Sequence, residues 1–262
     1  MMRIATWNVN SLRLRLPHLI DFLKEAEPDV VCLQELKCQD EQVPREEIEA
    51  AGYHIESHGQ KSFNGVAIVS RTKLEDVRRG LPGDESDVQS RYIEGVVATA
   101  SGAVRVASIY LPNGNPLGTE KFPYKLAWME RLAQHAQVLL SHEEPLVLAG
   151  DYNVIPHLRD ASDPAAWLND ALFQPETRGA FQRLLNLGFT DALRATTDAA
   201  GLYTFWDYQA GAWQRNFGIC IDHLLLSPQA ADKLRNVTIH KQMREREKPS
   251  DHVPVMAELA MG

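Results

Sequence analysis

Short apolar runs alternate along this chain with longer stretches of helical period, and the runs tend to end on polar residues. Arg3-Ile-Ala-Thr-Trp-Asn-Val-Asn10 opens with a strand whose polar end carries Asn8 and Asn10. Ser11 then suits the N-cap of a helix with Leu12, Leu16, Leu19, Ile20 and Leu23 as its apolar positions. Asp29-Val-Val-Cys-Leu-Gln-Glu35 is a second buried run, closing on a carboxylate. Two such strands separated by one helix predict a βαβ unit, which brings their polar ends together.

A short helix is expected over 44–51, stopped by Gly52, and the pattern then turns to strands at 53–57, 65–70, 74–78, 92–100 and 104–111. Asn64-Gly65 and Ser101-Gly102 suit antiparallel turns. One long helix over 119–141 leads into the apolar run Leu146 to Ala149, an irregular insertion with a short helix occupies 155–177, and a helix over 178–187 ends at Gly188. Strands at 204–208, 219–226, 237–240 and 253–259 complete the chain. No Gly/Ser-rich linker, low-complexity tract or charge block interrupts residues 1–262, which read as a single unit. Two halves, each passing from helical to stranded, favour two packed mixed β-sheets flanked by helices over a single parallel sheet.

The stretch Pro145-Leu-Val-Leu-Ala-Gly-Asp-Tyr-Asn153 changes the picture from fold to chemistry. Gly150 is expected to let the backbone turn just after the buried run. If the extended conformation persists, Asp151 and Asn153 point to one side. Ligands collect beyond the carboxyl ends of strands in α/β proteins. A carboxylate and a carboxamide aimed together there suit a hard cation or an activated water; taken alone, they equally suit an Asx turn closing a loop. Polar groups recur at comparable places: Asn8, Glu35, Tyr110, Asp222-His223 and Ser250-Asp-His252. Each has an ordinary structural reading, but their shared position argues for one site.

Composition bounds the class. With 262 residues, 44% hydrophobic and 24% charged, the chain can bury a large core. It has no apolar run of membrane-spanning length and no signal-peptide start. Cys32, Cys38 and Cys220 lack metal spacing and suit reduced thiols in a cytoplasm. A net charge of −8 weighs mildly against a nucleic-acid binder, although a local basic face suffices for one.

Thr6-Trp-Asn-Val-Asn10, Leu33-Gln-Glu35, Asn64-Gly-Val-Ala67, Tyr110-Leu-Pro-Asn-Gly114, Gly150-Asp-Tyr-Asn153, Ile221-Asp222 and Lys248-Pro-Ser-Asp-His252 occur in that order. Together they resemble the exonuclease III branch of the endonuclease/exonuclease/phosphatase superfamily, the apurinic/apyrimidinic endonucleases, from the first strand to the last. The resemblance implies a four-layered α/β sandwich, a divalent metal (Mg²⁺ or Mn²⁺) and hydrolysis of duplex DNA 5′ to abasic sites, with 3′→5′ exonuclease trimming of 3′ ends. It implies a metal site made by Asn8, Glu35, Asp151, Asn153 and His252, and makes Asp251 a second ligand or a partner behind the ligands. Asp151 would orient and deprotonate the attacking water with Asn153 beside it. His252, fixed by Asp222, would donate to a phosphate oxygen that Tyr110 and Asn113 also bind. Arg91 and Asn216 join the substrate-binding set, and Phe205, Trp206, Ile219 and Ile221 would form the apolar pocket for a flipped-out abasic sugar. Arg13, Arg15, Lys37, Lys61, Arg91, Lys121, Arg215, Arg244 and Lys248 would supply the phosphate-tracking face.

One departure stands out. Where the family usually has Gly-x-Arg-Ile-Asp, this chain reads Gly218-Ile-Cys-Ile-Asp222, and Phe217 also replaces a polar or basic residue. Cysteine lacks a guanidinium's donors, so DNA affinity or the balance of endonuclease and exonuclease action is expected to differ. The competing reading is another metal-dependent phosphodiesterase or phosphatase of the superfamily, acting on RNA, inositol phosphates or lipid headgroups; a third is a binder without activity. A monomer is the default assembly.

Overall fold

The structure is a computed structural model describing residues 1–261. β1 (Met2–Asn8) and β2 (Val30–Gln34) lie side by side and parallel, with α1 (Leu12–Glu25) crossing between them, as the apolar pattern requires. α2 (Arg45–Ala50), β3 (His54–His58), β4 (Val66–Ser70), β5 (Glu75–Arg79), β6 (Tyr92–Thr99), β7 (Gly102–Tyr110), α3 (Lys121–Leu140) and β8 (Leu146–Asp151) follow. The chain continues through α4 (Pro175–Asn186), β9 (Thr190–Asp191), α5 (Ala192–Thr196), β10 (Asp222–Leu226), α6 (Pro228–Ala231), β11 (Leu234–Ile239) and β12 (Val255–Leu259).

These strands form two six-stranded mixed sheets, ordered β11-β12-β1-β2-β4-β3 and β5-β6-β7-β8-β10-β9. The first sheet draws on both ends of the chain, so the architecture is not two successive halves. Between the sheets lies an apolar layer in which Ile4, Cys32 and Ile68 of one meet Val106, Val147 and Leu224 of the other. Phe22 and Leu19 of α1 pack on the outer face of the first sheet, and Trp128, Leu132 and Phe181 of α3 and α4 on that of the second. Helix, sheet, sheet, helix is the four-layered sandwich that the resemblance implied. No helix among the described residues is long and apolar enough to cross a membrane.

Several boundaries moved for physical reasons. The expected strand at 204–208 is absent: Phe205 makes only isolated bridges to Ile219 and His252, because this segment turns around the site instead of joining a sheet. Residues 219–221 likewise precede β10 as irregular chain, and the last helix of the middle section starts at Pro175, where proline's fixed φ favours the first turn. Asn64 and Gly65 both have positive φ, but the connection from β3 to β4 runs from residue 59 to 65 and is not a two-residue hairpin. Cys32, Cys38 and Cys220 are buried and unpaired.

Candidate active site

Strand register assembles the polar ends. Antiparallel β10 sets Asp222 opposite Asp151, and parallel β7 sets Tyr110 opposite the same residue. Gly150 does not turn the chain: β8 continues through it to Asp151. A Cβ there would stand 2.1 Å from the Ile109 carbonyl oxygen, so glycine is required by the close approach of β7. The turn comes later, at Asn153, whose φ is +47°. Its backbone N–H donates to Asp151 Oδ1 at 3.0 Å and its Nδ2 to the Leu111 carbonyl at 2.9 Å. The Asx turn and the functional constellation therefore coexist.

Asn8 is fully buried between the two sheets. Its Nδ2 donates to Glu35 Oε1 and to Asp151 Oδ2, each at 2.9 Å, while its Oδ1 accepts the Asn10 N–H. Asn8 thus presents its donor side to two adjacent carboxylates, spacing and tethering them. Glu35 also pairs with Lys37 at 3.0 Å. Burial pushes the Glu35 carboxyl up, but Asn8, Lys37 and His252 outweigh it and hold the group below its usual range. Asp151 behaves oppositely: burial and the nearby Asp222 and Glu35 carboxylates push it up to about 7, against the pull of His252 and Asn8.

His252 closes the constellation. Its Nδ1 lies 2.8 Å from Asp222 Oδ2, which also accepts the Thr204 hydroxyl at 2.6 Å, and its Nε2 faces Asp151 Oδ2 at 3.6 Å. Burial alone favours a neutral imidazole, but the Asp222 and Asp151 carboxylates prevail and carry the pKa up to about 10. In that form both ring nitrogens are hydrogen-bond donors. Tyr110 is partly buried, and burial together with Glu35 and Asp151 keeps its phenol protonated. Arg91 stacks over that ring at 4.9 Å and donates to the Tyr110 carbonyl.

These groups face a cleft of about 360 Å³. Glu35, Tyr110, Asn113, Asp151, Asn153, Asp251 and His252 line its polar side, and Phe205, Ile219 and Ile221 its apolar side. Asn113 is shared with an adjoining depression of about 480 Å³ that includes Arg91, Lys121 and exposed Phe63. Trp206 does not reach the cleft. It is 1% exposed, packed edge-on against Trp213, and its indole N–H is taken by Asn216. Asn216 itself is exposed and lies outside the cleft lining, occupied by Trp206 and Lys241. Arg244 is also withdrawn, buried against Tyr208 and Trp213.

Cys220 points into the interior beside the Asp160–Arg194 ion pair, with its N–H on the Asp160 carbonyl, so this position offers nothing to a ligand here. Arg215 rests its guanidinium over Phe217. The sequence reading missed Trp167, Asp170, Leu172 and Asp207, which also line the cleft. It also missed Lys125, buried beneath the cleft floor.

The donor set fits a hard divalent cation. One ligand atom each from Asp151, Asp222 and His252 lie within 4.8 Å of one another; burial first, then the Asp222 and Glu35 carboxylates, raises the Asp151 carboxyl, and a cation there would favour its ionised form. The carboxylate oxygens of Glu35 and Asp151 are the hard donors that would hold it, with His252 beside them.

Four layers of α/β structure with a carboxylate–imidazolium cleft at the strand ends define a phosphodiester hydrolase. The chain matches the Endonuclease/Exonuclease/phosphatase family over residues 5–252. It is 35% identical over 266 aligned positions, 98% of this chain and 99% of the relative, to exodeoxyribonuclease III of Haemophilus influenzae. The 3′ phosphatase NExo from Neisseria, solved with a product DNA hairpin, superposes with a TM-score of 0.94 at 40% identity over 99% of each chain. An AP endonuclease from Archaeoglobus fulgidus superposes at 0.93 and 37% identity over 99% of this chain and 100% of that one. This chain belongs to the endonuclease/exonuclease/phosphatase family.

Proposed function

We propose that this protein is a divalent-metal-dependent DNA repair nuclease that hydrolyses the phosphodiester 5′ to abasic sites in double-stranded DNA and trims 3′ ends. The observation that carries the reading is Asp151, fixed on one oxygen by the Asn153 N–H and on the other by Asn8, with its carboxyl near 7. A general base works best with a pKa close to the working pH. Asp151 takes the proton of the attacking water, and the His252 imidazolium donates to a non-bridging phosphate oxygen, held in its charged form by Asp222. The Tyr110 phenol and the exposed Asn113 amide add donors where negative charge accumulates. When bound by the carboxylates, Mg²⁺ or Mn²⁺ supplies charge neutralisation at the phosphate and a more acidic water.

The apolar side of the cleft, Phe205, Ile219 and Ile221, supports an extruded sugar without a base, which costs no stacking to flip. The family match over 5–252 and the core shared by both sheets support a single catalytic domain over residues 1–262. A cytoplasmic monomer is proposed with it, on the place of its DNA substrate and its buried free thiols. The Neisseria neighbour favours one further substrate, a 3′-phosphate end. The test is a set of duplexes bearing a tetrahydrofuran site, a recessed 3′ end or a 3′-phosphate, alongside RNA and inositol phosphate controls. Incision beside the tetrahydrofuran site supports the reading; turnover of the controls alone defeats it.

A further inference from the structure

Lys125 is the least expected side chain in the protein. It sits on the apolar stripe of α3 with Trp128, Met129 and Leu132, is 0% exposed, and takes no part in the proton transfers above. A buried ammonium is costly unless its donors are satisfied. Here they go to two backbone carbonyls, Asn113 O at 3.1 Å and Asn153 O at 2.5 Å. These belong to the residues whose side-chain amides face the cleft from two different loops, and the amides themselves are 3.5 Å apart, Asn113 Nδ2 to Asn153 Oδ1.

The surroundings are shaped for this lysine. Gly114, at φ +87°, leaves the room: a Cβ there would stand 2.7 Å from Lys125 Cδ and 3.2 Å from the Ala171 Cβ. A third loop closes on the same point, since Asn115 donates to Asp170 Oδ1 and accepts the Ala171 N–H. Burial draws the Lys125 pKa down to about 7 against Asp151 and Asp170, but the ammonium and the neutral amine both carry the N–H bonds that the two carbonyls need.

We infer that Lys125 is a positioning residue for phosphodiester hydrolysis, clamping the Asn113 and Asn153 loops from below so that the Asn113 amide stays aimed at the phosphate and the Asn153 N–H stays on Asp151. The inference rests on the hydrolase reading of the cleft. Asn153 makes the turn itself at φ +47°, a conformation asparagine tolerates better than most residues, and Lys125 fixes the carbonyl that this turn presents.

The experiment compares Lys125→Met with wild type and with Leu132→Ala, a core substitution on the same helix, using the tetrahydrofuran duplex at a temperature well below each melting point. Lys125→Met is expected to lower kcat about 10²-fold, the scale of a misplaced catalytic geometry, with KM for DNA unchanged. Leu132→Ala is expected to lower the melting temperature while its folded fraction keeps wild-type kcat. Wild-type kcat in folded Lys125→Met overturns the inference. Should that variant not fold, Lys125→Gln, which keeps an amide donor at shorter reach, is read by the same kcat and KM. An inactive wild type defeats the hydrolase reading itself, a distinct outcome.

Discussion

The Nε2 of His252 faces Asp151 Oδ2 across 3.6 Å, an imidazolium set against a carboxylate that burial holds near neutrality. The two groups need opposite protonation states to work: Asp151 must have lost its proton and His252 must keep its own. Activity should therefore rise with pH as Asp151 ionises near 7 and fall as His252 deprotonates near 10. A divalent ion at the site favours the Asp151 carboxylate and moves the acid limb to lower pH. The check is kcat/KM against pH at two Mg²⁺ concentrations; a profile rising as pH falls below 6 would contradict the assignment.

Asp222 holds His252 in its charged form at 2.8 Å. In Asp222→Asn the carboxylate that raises the imidazole pKa is gone, while burial still opposes the charge. The alkaline limb should move to lower pH, and kcat at pH 8 should fall by roughly 10²-fold or more. An unchanged alkaline limb would assign that limb to another group.

Trp206 serves as a control for the corrected placement. Trp206→Ala should cost about 3–5 kcal/mol of stability, the range for removing a buried tryptophan, read by thermal or urea melting. KM for the tetrahydrofuran duplex in its folded fraction should change far less than in Phe205→Ala, whose ring lines the cleft. The reverse order would return Trp206 to the substrate site.

Glu35, Asp151, Asp222 and His252 were legible because apolar runs reveal strands, and adjacent strands must bring their ends together. Register then did the rest: Asp222 and Tyr110 flank Asp151 by strand pairing alone. Irregular chain was harder. Whether Phe205 or Trp206 faces the cleft depends on a segment with no period, and the structure turns Phe205 outward and Trp206 into the core. Trp167, Asp170 and Leu172 belong to an insertion whose path is set by its packing on Ile155 and on Ile219 and Ile221, not by local pattern. Asn8 was located, but which end of its amide faces the carboxylate pair depends on how far apart Glu35 and Asp151 stand, and the sequence does not carry that distance. Lys125 did leave a signal, a charge three and four residues before Trp128 and Met129 on an apolar stripe. Such a position demands buried partners, although the sequence does not say which carbonyls they are.

The most direct measurement of the central claim is single-turnover cleavage of the tetrahydrofuran duplex by wild type and Asp151→Asn, each with Mg²⁺ and with EDTA, beside melting curves for both proteins. The expected result is cleavage by wild type that EDTA abolishes, and a loss of roughly 10²–10⁴-fold in Asp151→Asn with the fold intact. Wild-type cleavage rates in folded Asp151→Asn, or cutting that survives chelation, would contradict it.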